Sequence, residues 1–201
     1  MLFRSGTADA NIFNTNNGDD VMFGSAGDDT FNAGSNTFLG GDTVNYSATG
    51  DDVTVDLQAG TASSTAFGND TLIGVENAIT GGGNDSVTVS SSRNNINTGA
   101  GDDTVFGDIG FDTLDGGAGT DTLDYSGMTG SISGSLELNS FTLGSASDDV
   151  FNFENVIGTG FGDNIFGSNG VNNVLEGRDG DDRLGGSTGD DTLDGGAGDD
   201  T

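Results

Sequence analysis

Asp103, Asp112 and Asp121 stand nine residues apart, and each closes a glycine-rich stretch. The stretches are Thr98-Gly99-Ala100-Gly101-Asp102-Asp103, Gly107-Asp108-Ile109-Gly110-Phe111-Asp112 and Gly116-Gly117-Ala118-Gly119-Thr120-Asp121. Glycine tolerates positive φ and close backbone approach. A turn folded that way points several carbonyl oxygens inward, and the Asp adds a carboxylate as the chain leaves the turn. Carbonyls and carboxylates are hard ligands, and six or more of them suit Ca²⁺ better than Mg²⁺, which keeps its waters. The chain has no His or Cys, so zinc and copper sites have no support.

The beat extends along the chain as G-G-x-G-x-D-x-U-x, with U a large apolar residue. Its sixth place holds Asn11, Asp20, Asp29, then Asp85, Asn94, Asp103, Asp112, Asp121, then Asn173, Asp182, Asp191 and Asp200. The eighth place holds Phe13, Met22, Phe31, Val87, Ile96, Val105, Leu114, Leu123, Leu175, Leu184 and Leu193. Nine residues are too few for a helical repeat and fit a coil of short strands and tight turns. In such a strand the middle residue faces inward and its neighbours outward. Two nonamers make one coil, so turns 18 residues apart stack about one strand spacing (~4.8 Å) apart. The sixth-place pairs are then Asn11 with Asp29, Asp85 with Asp103, Asn94 with Asp112, Asp103 with Asp121, Asn173 with Asp191, and Asp182 with Asp200. Sites that use Asn carry less charge and are expected to bind more weakly.

These nonamers resemble the repeats-in-toxin (RTX) proteins, whose repeat is a Ca²⁺-binding β-helix unit. The resemblance covers most of the chain and is weakest over 46–66 and 125–147. It implies an all-β fold, a parallel β-roll or β-helix solenoid with Ca²⁺ ions stacked in the turns. It also implies carbonyl ligands: Gly81, Gly83, Thr98 and Ala100 for Asp85 and Asp103; Gly99, Gly101, Gly116 and Ala118 for Asp103 and Asp121; Arg178, Gly180, Gly195 and Ala197 for Asp182 and Asp200. Members leave the cell unfolded by type I secretion and fold outside it. The resemblance therefore implies a secreted, extracellular protein and a structural role.

A longer period overlies the nonamers. Asp42, Asp70, Asp103, Asp112 and Asp121 match Asp121, Asp149, Asp182, Asp191 and Asp200, each 79 residues on, and Thr43-Val44-Asn45-Tyr46-Ser47 matches Thr122-Leu123-Asp124-Tyr125-Ser126. This predicts tandem modules at 46–124 and 125–201 after a partial roll at 6–45; tandem duplication lengthens solenoids. Residues 1–5 read as non-native or disordered. The chain stops inside a nonamer, as a fragment of a longer protein would. Two inserts, Asn45 to Phe67 and Asp124 to Ala146, break the phase. They are expected to continue the solenoid as wider, metal-poor coils; a small separate lobe is the alternative.

Composition agrees with a metal-dependent fold. The net charge is −29 over 201 residues, and of 33 acidic residues only Glu76, Glu137, Glu154 and Glu176 are Glu. Asp is favoured where a carboxylate folds back onto a tight turn. Such charge with low hydrophobicity disfavours compaction, so folding is expected to be coupled to metal binding. Only four basic residues are present, which argues against nucleic acid as a partner. No apolar run reaches membrane-spanning length. With no His, Lys or Cys to activate a nucleophile, catalysis is not expected.

Several residues admit two readings. Tyr46 and Tyr125 suit strand-end packing better than sugar stacking. Glu76 and Glu154 suit a hydrogen bond to a neighbouring coil better than catalysis. Phe23, Phe106 and Phe166, near the ninth place, are expected to form an outward stripe. A binding module for polysaccharide, ice or self-association is the alternative function, and an appendage to a secreted hydrolase the third.

Overall fold

The structure, a computed structural model, describes residues 2–3, 8–15, 17–34 and 40–201. Residues 1, 4 and 5, read above as non-native or disordered, lie outside the described residues. Among those described there are strands and no helix, and hence no helix long and apolar enough to cross a membrane.

Two sheets of eleven strands face each other. One runs β1 (Leu2–Phe3), β3 (Val21–Phe23), β5 (Thr43–Asn45), β9 (Asn77–Gly81), β11 (Asn95–Gly99), β13 (Thr113–Asp115), β17 (Ala146–Phe151), β16 (Ser140–Leu143), β15 (Ile132–Ser135), β19 (Asn164–Phe166) and β21 (Arg183–Gly185). The other runs β2 (Ile12–Asn14), β4 (Thr30–Asn32), β8 (Gly68–Ile73), β7 (Thr61–Ser64), β6 (Val53–Asp56), β10 (Ser86–Thr88), β12 (Thr104–Phe106), β14 (Thr122–Asp124), β18 (Asn155–Ile157), β20 (Val174–Glu176) and β22 (Thr192–Asp194). Successive nonamers alternate between sheets. The stacked pairs are parallel and 18 residues apart, as in Val87↔Val105, Val105↔Leu123 and Ile96↔Leu114. The β-roll reading therefore holds.

Most three-residue strands bury only their central side chain. Met22, Phe31, Val44, Val87, Ile96, Val105, Leu114, Leu123, Ile165 and Leu175 are fully buried in one continuous core. Leu193, central in the edge strand β22, is half exposed because no further strand covers it.

The inserts remain in the sheets, but not as coils. Each is a three-stranded antiparallel meander: β6–β7–β8 in one sheet and β15–β16–β17 in the other. In both, the first strand pairs in parallel with a later strand and the last with an earlier one. The insert thus runs backwards along the roll, and the sheets are mixed rather than wholly parallel. The alternating pattern of Val53-Thr54-Val55 fixed these segments as strands but carried no information on their direction.

A tyrosine fills each junction. Tyr46 and Tyr125 are buried. Their rings pack on Gly24 and Gly107, where a Cβ would collide with them. Their ring centroids lie 5.2 Å from Phe67 and 5.9 Å from Phe141. Both are packing residues, not sugar platforms. Phe23, Phe106 and Phe166 take the outward third place of their strands but are half-buried and do not stack into a stripe: Phe106 is flanked by Thr88 and Asp124, Phe23 by Asn45, and the Arg183 guanidinium covers the Phe166 ring at 5.3 Å.

Candidate metal centre

The sixth-place residues form a ladder along each edge of the roll. In every rung the backbone N–H of one residue donates to a carboxylate oxygen of the residue above it. Asn11 donates to Asp29 (2.8 Å), Asp85 to Asp103 (2.7 Å), Asn94 to Asp112 (2.8 Å) and Asp103 to Asp121 (2.8 Å). Further along, Asn173 donates to Asp191 (2.9 Å) and Asp182 to Asp200 (2.9 Å). All six pairs expected from the 18-residue stacking are therefore brought together. Asp20 is tied to Asp42 in the same way (2.7 Å). Most rungs are buried; Asn11 and Asp191 are half-buried, and Asp200 is exposed beside the edge strand.

Four ladder members were not among the expected site residues. Asp42, Asp70, Asp148 and Asp163 are buried and accept from Asp20, Asp29, Asp112 and Ile132. The inserts take them out of the nine-residue phase, so spacing alone could not find them. The ladder also corrects the longer repeat: Asp70 corresponds to buried Asp148, 78 residues on, and not to exposed Asp149. Glu76 and Glu154 are rungs too, accepting from Asp42 (2.9 Å) and Asp121 (2.8 Å).

A second, exposed ladder runs beside the first through the fifth place, with the opposite polarity. Asp102 N–H donates to Asn84 (3.0 Å), Thr120 N–H to Asp102 (2.9 Å) and Asp199 N–H to Asp181 (3.0 Å). This accounts for the recurrent Asp-Asp pairs, a signal present in the sequence and not used there.

The second oxygen divides the rungs into two kinds. In one, a protein donor takes it: Ser25 Oγ for Asp29 (2.7 Å), Tyr46 Oη for Asp70 (2.7 Å), Gly81 N for Asp85 (3.0 Å), Tyr125 Oη for Asp148 (2.8 Å) and Thr159 N for Asp163 (2.6 Å). In the other, the Oδ2 atoms of Asp103, Asp112, Asp121 and Asp182 are buried and accept no hydrogen bond. Buried polar atoms are nearly always partnered, and an unpaired buried carboxylate oxygen is costly. Burial pushes the Asp112 and Asp121 carboxyls up to about 7, with neighbouring Asp148 and Asp103 adding to the rise. It also raises Asp103 and Asp85. These oxygens fit a bound cation.

The turn backbone places further oxygens beside the ladder. Turns stack through Ala100 N–H to Gly81 O (2.8 Å), Ala118 N–H to Gly99 O (2.9 Å), Gly101 N–H to Ala118 O (2.9 Å) and Gly180 N–H to Ala197 O (2.9 Å). Ala197 N–H likewise donates to Arg178 O (2.6 Å). The carbonyls of Thr98 and Gly116 accept the buried hydroxyls of Thr80 (2.8 Å) and Thr98 (2.7 Å). Each such carbonyl keeps a second lone pair. Gly83, Ala100, Gly101, Gly180 and Gly195 are the remaining expected carbonyls. The stacking requires glycine: Gly101 (φ 135°) and Gly119 (φ 151°) leave no room for a Cβ against the carbonyls of Gly83 and Gly101. Among the described residues no three acidic side chains converge on one point, so a cation held here would have to draw on one or two carboxylates and on main-chain oxygens.

A ladder of buried carboxylates beside stacked turn carbonyls, repeated along both edges of a two-sheet solenoid, is the arrangement of a calcium-binding parallel β-roll. The RTX calcium-binding nonapeptide repeat model matches four times, over residues 5–37, 79–114, 98–127 and 169–201. Together these matches cover more than half of the chain, which belongs to this family. Its repeats bind Ca²⁺ and are typical of secreted proteins. No curated protein matches the chain.

Proposed function

We propose that this chain is a structural β-roll of an exported protein, held together by several Ca²⁺ ions and folding when it meets Ca²⁺ outside the cell. One observation carries the reading: the buried, donor-free oxygens of Asp103, Asp112, Asp121 and Asp182, each on a carboxylate already aimed by a backbone N–H of the turn below or by its own rung. When bound, the ions supply positive charge to a molecule whose formal net charge is −29. Asp103 with Asp121, and Asp182 with Asp200, would hold them, together with main-chain oxygens of Gly99, Gly101, Gly116 and Ala118 in one turn pair and of Arg178, Gly180, Gly195 and Ala197 in the other. Asp29 and Asp85 have both oxygens taken by protein donors and would contribute least. The chain's role is then scaffolding: a rigid segment that exists only where Ca²⁺ is plentiful.

Circular dichroism tests the reading. In excess chelator the chain should give a largely unstructured spectrum, and in millimolar Ca²⁺ a β-sheet spectrum. Identical spectra in the two conditions would remove the coupling between ion and fold.

A further inference from the structure

The junctions ahead of the two meanders are copies of one another and differ at one turn, the first copy spanning residues 23–29 and the second residues 106–112. In the first copy, Phe23-Gly24-Ser25-Ala26-Gly27-Asp28-Asp29 forms a closed hydrogen-bond circuit. Ser25 Oγ donates to Asp29 Oδ2 (2.7 Å), Asp29 N–H to Asp70 Oδ1 (2.8 Å) and Tyr46 Oη to Asp70 Oδ2 (2.7 Å). No carboxylate oxygen there needs a cation. The second copy reads Phe106-Gly107-Asp108-Ile109-Gly110-Phe111-Asp112. Two of the three bonds persist, Asp112 N–H to Asp148 Oδ1 (3.1 Å) and Tyr125 Oη to Asp148 Oδ2 (2.8 Å). The third is gone, because Asp108 stands where Ser25 stood.

The exchange replaces a donor with an acceptor. Asp108 is aimed at Asp112 by the Gly110 N–H, which donates to Asp108 Oδ1 (2.7 Å). The two carboxyls lie within hydrogen-bonding reach of each other. Asp112 is 2% exposed and its Oδ2 accepts no hydrogen bond. Two carboxylates cannot satisfy each other, and like charges at such range repel strongly away from water. Asp148 is committed to Tyr125, so it does not supply the second carboxylate that a stacked turn ordinarily provides. Asp108, on the same turn, does. It also lines a cleft of about 510 Å³ with Phe106, Ile109, Asp124 and Met128, which opens the turn to solvent.

We propose that the Asp108 side chain is a metal ligand, joining Asp112 in a cation site for a divalent ion of the Ca²⁺ type that the corresponding turn of the first copy lacks. This rests on the calcium-clamp reading above. The test counts ions bound per full-length chain, with CaCl₂ as the only probe, by equilibrium dialysis and titration calorimetry. D108S rebuilds the first-copy circuit and should bind one ion fewer while keeping its β-sheet spectrum in Ca²⁺. S25D makes the converse change and should gain one ion. Equal stoichiometry and affinity in D108S and the unaltered chain would overturn the proposal, as would an S25D chain that gains no ion. An unaltered chain that binds no Ca²⁺ would instead overturn the functional reading on which it rests.

Discussion

At the scale of the residue, the ladder gives each sixth-place Asp two tasks that can be separated. One oxygen accepts a backbone N–H, and the other faces the turn interior. Asp103→Asn keeps an acceptor for Asp85 N–H and removes the charge. In chelator this variant should retain more residual β-structure than the unaltered chain, because a buried unpaired charge is gone. In Ca²⁺ it should melt lower, because a ligand charge is gone. A change of the same sign in both conditions would contradict the assignment. Asp103→Ala should cost roughly 2–3 kcal/mol in Ca²⁺, as loss of a buried charged hydrogen-bond partner does. Asp56→Ala should cost under ~1 kcal/mol, since Asp56 receives only the Ala59 N–H of its own turn; urea melts would separate the two. The pH dependence follows from Asp112 and Asp121, whose folded, metal-free carboxyls sit at about 7 against ~3.9 unfolded. A raised acid favours the folded chain at low pH, and that contribution is lost as pH rises through the folded value. In chelator, therefore, acidification from pH 8 towards 4.5 should increase β-structure. Over the same range Ca²⁺ affinity should fall, because protons compete for the same oxygens.

At the scale of the element, turns are shaped by what passes above and below them. In several turns the second place of the nonamer takes a left-handed conformation, as at Gly99 (φ 99°), Gly117 (φ 89°) and Gly196 (φ 88°). Arg178 (φ 83°) and Ser187 (φ 74°) adopt it at equivalent places without glycine's freedom. Arg178→Gly should therefore stabilise the Ca²⁺-bound roll by about 1 kcal/mol, measurable as a higher melting temperature. The meanders have their own closure. Tyr125→Phe deletes the donor to Asp148 and leaves a buried carboxylate oxygen unpaired, at a cost of about 1–3 kcal/mol. That loss should appear in Ca²⁺ without any change in the number of bound ions, because both Asp148 oxygens serve protein donors in the folded chain. The strands themselves were legible: the apolar eighth place, held by Val105, Leu114 and Leu123, alternates with polar neighbours and can bury only one face.

At the scale of the whole molecule, stability is a sum over rungs, each in contact only with its neighbours. The two meanders add strands to opposite sheets, so that both sheets reach eleven and neither face outgrows the other. The middle rungs, covered on both sides, should exchange their amides most slowly, and those of β22 fastest. Hydrogen exchange in Ca²⁺ would show the gradient; uniform protection from Val105 to Leu193 would contradict it. The sequence by itself determined the roll, its 18-residue register and the rungs that stay in phase, because a nonamer admits one inward side chain and one turn carboxylate per step. It did not determine the direction of the inserts, since alternation in Val53-Thr54-Val55 is the same for a strand run forwards or backwards. Nor did it place Asp148 and Asp163 on the ladder, because their neighbours are set by chain segments 31 to 36 residues away. Which carboxylates face a cation and which face a hydroxyl depends on the side chains brought against them across the stack. Only the tertiary structure decided that Tyr125 closes one rung and leaves Asp112 to Asp108.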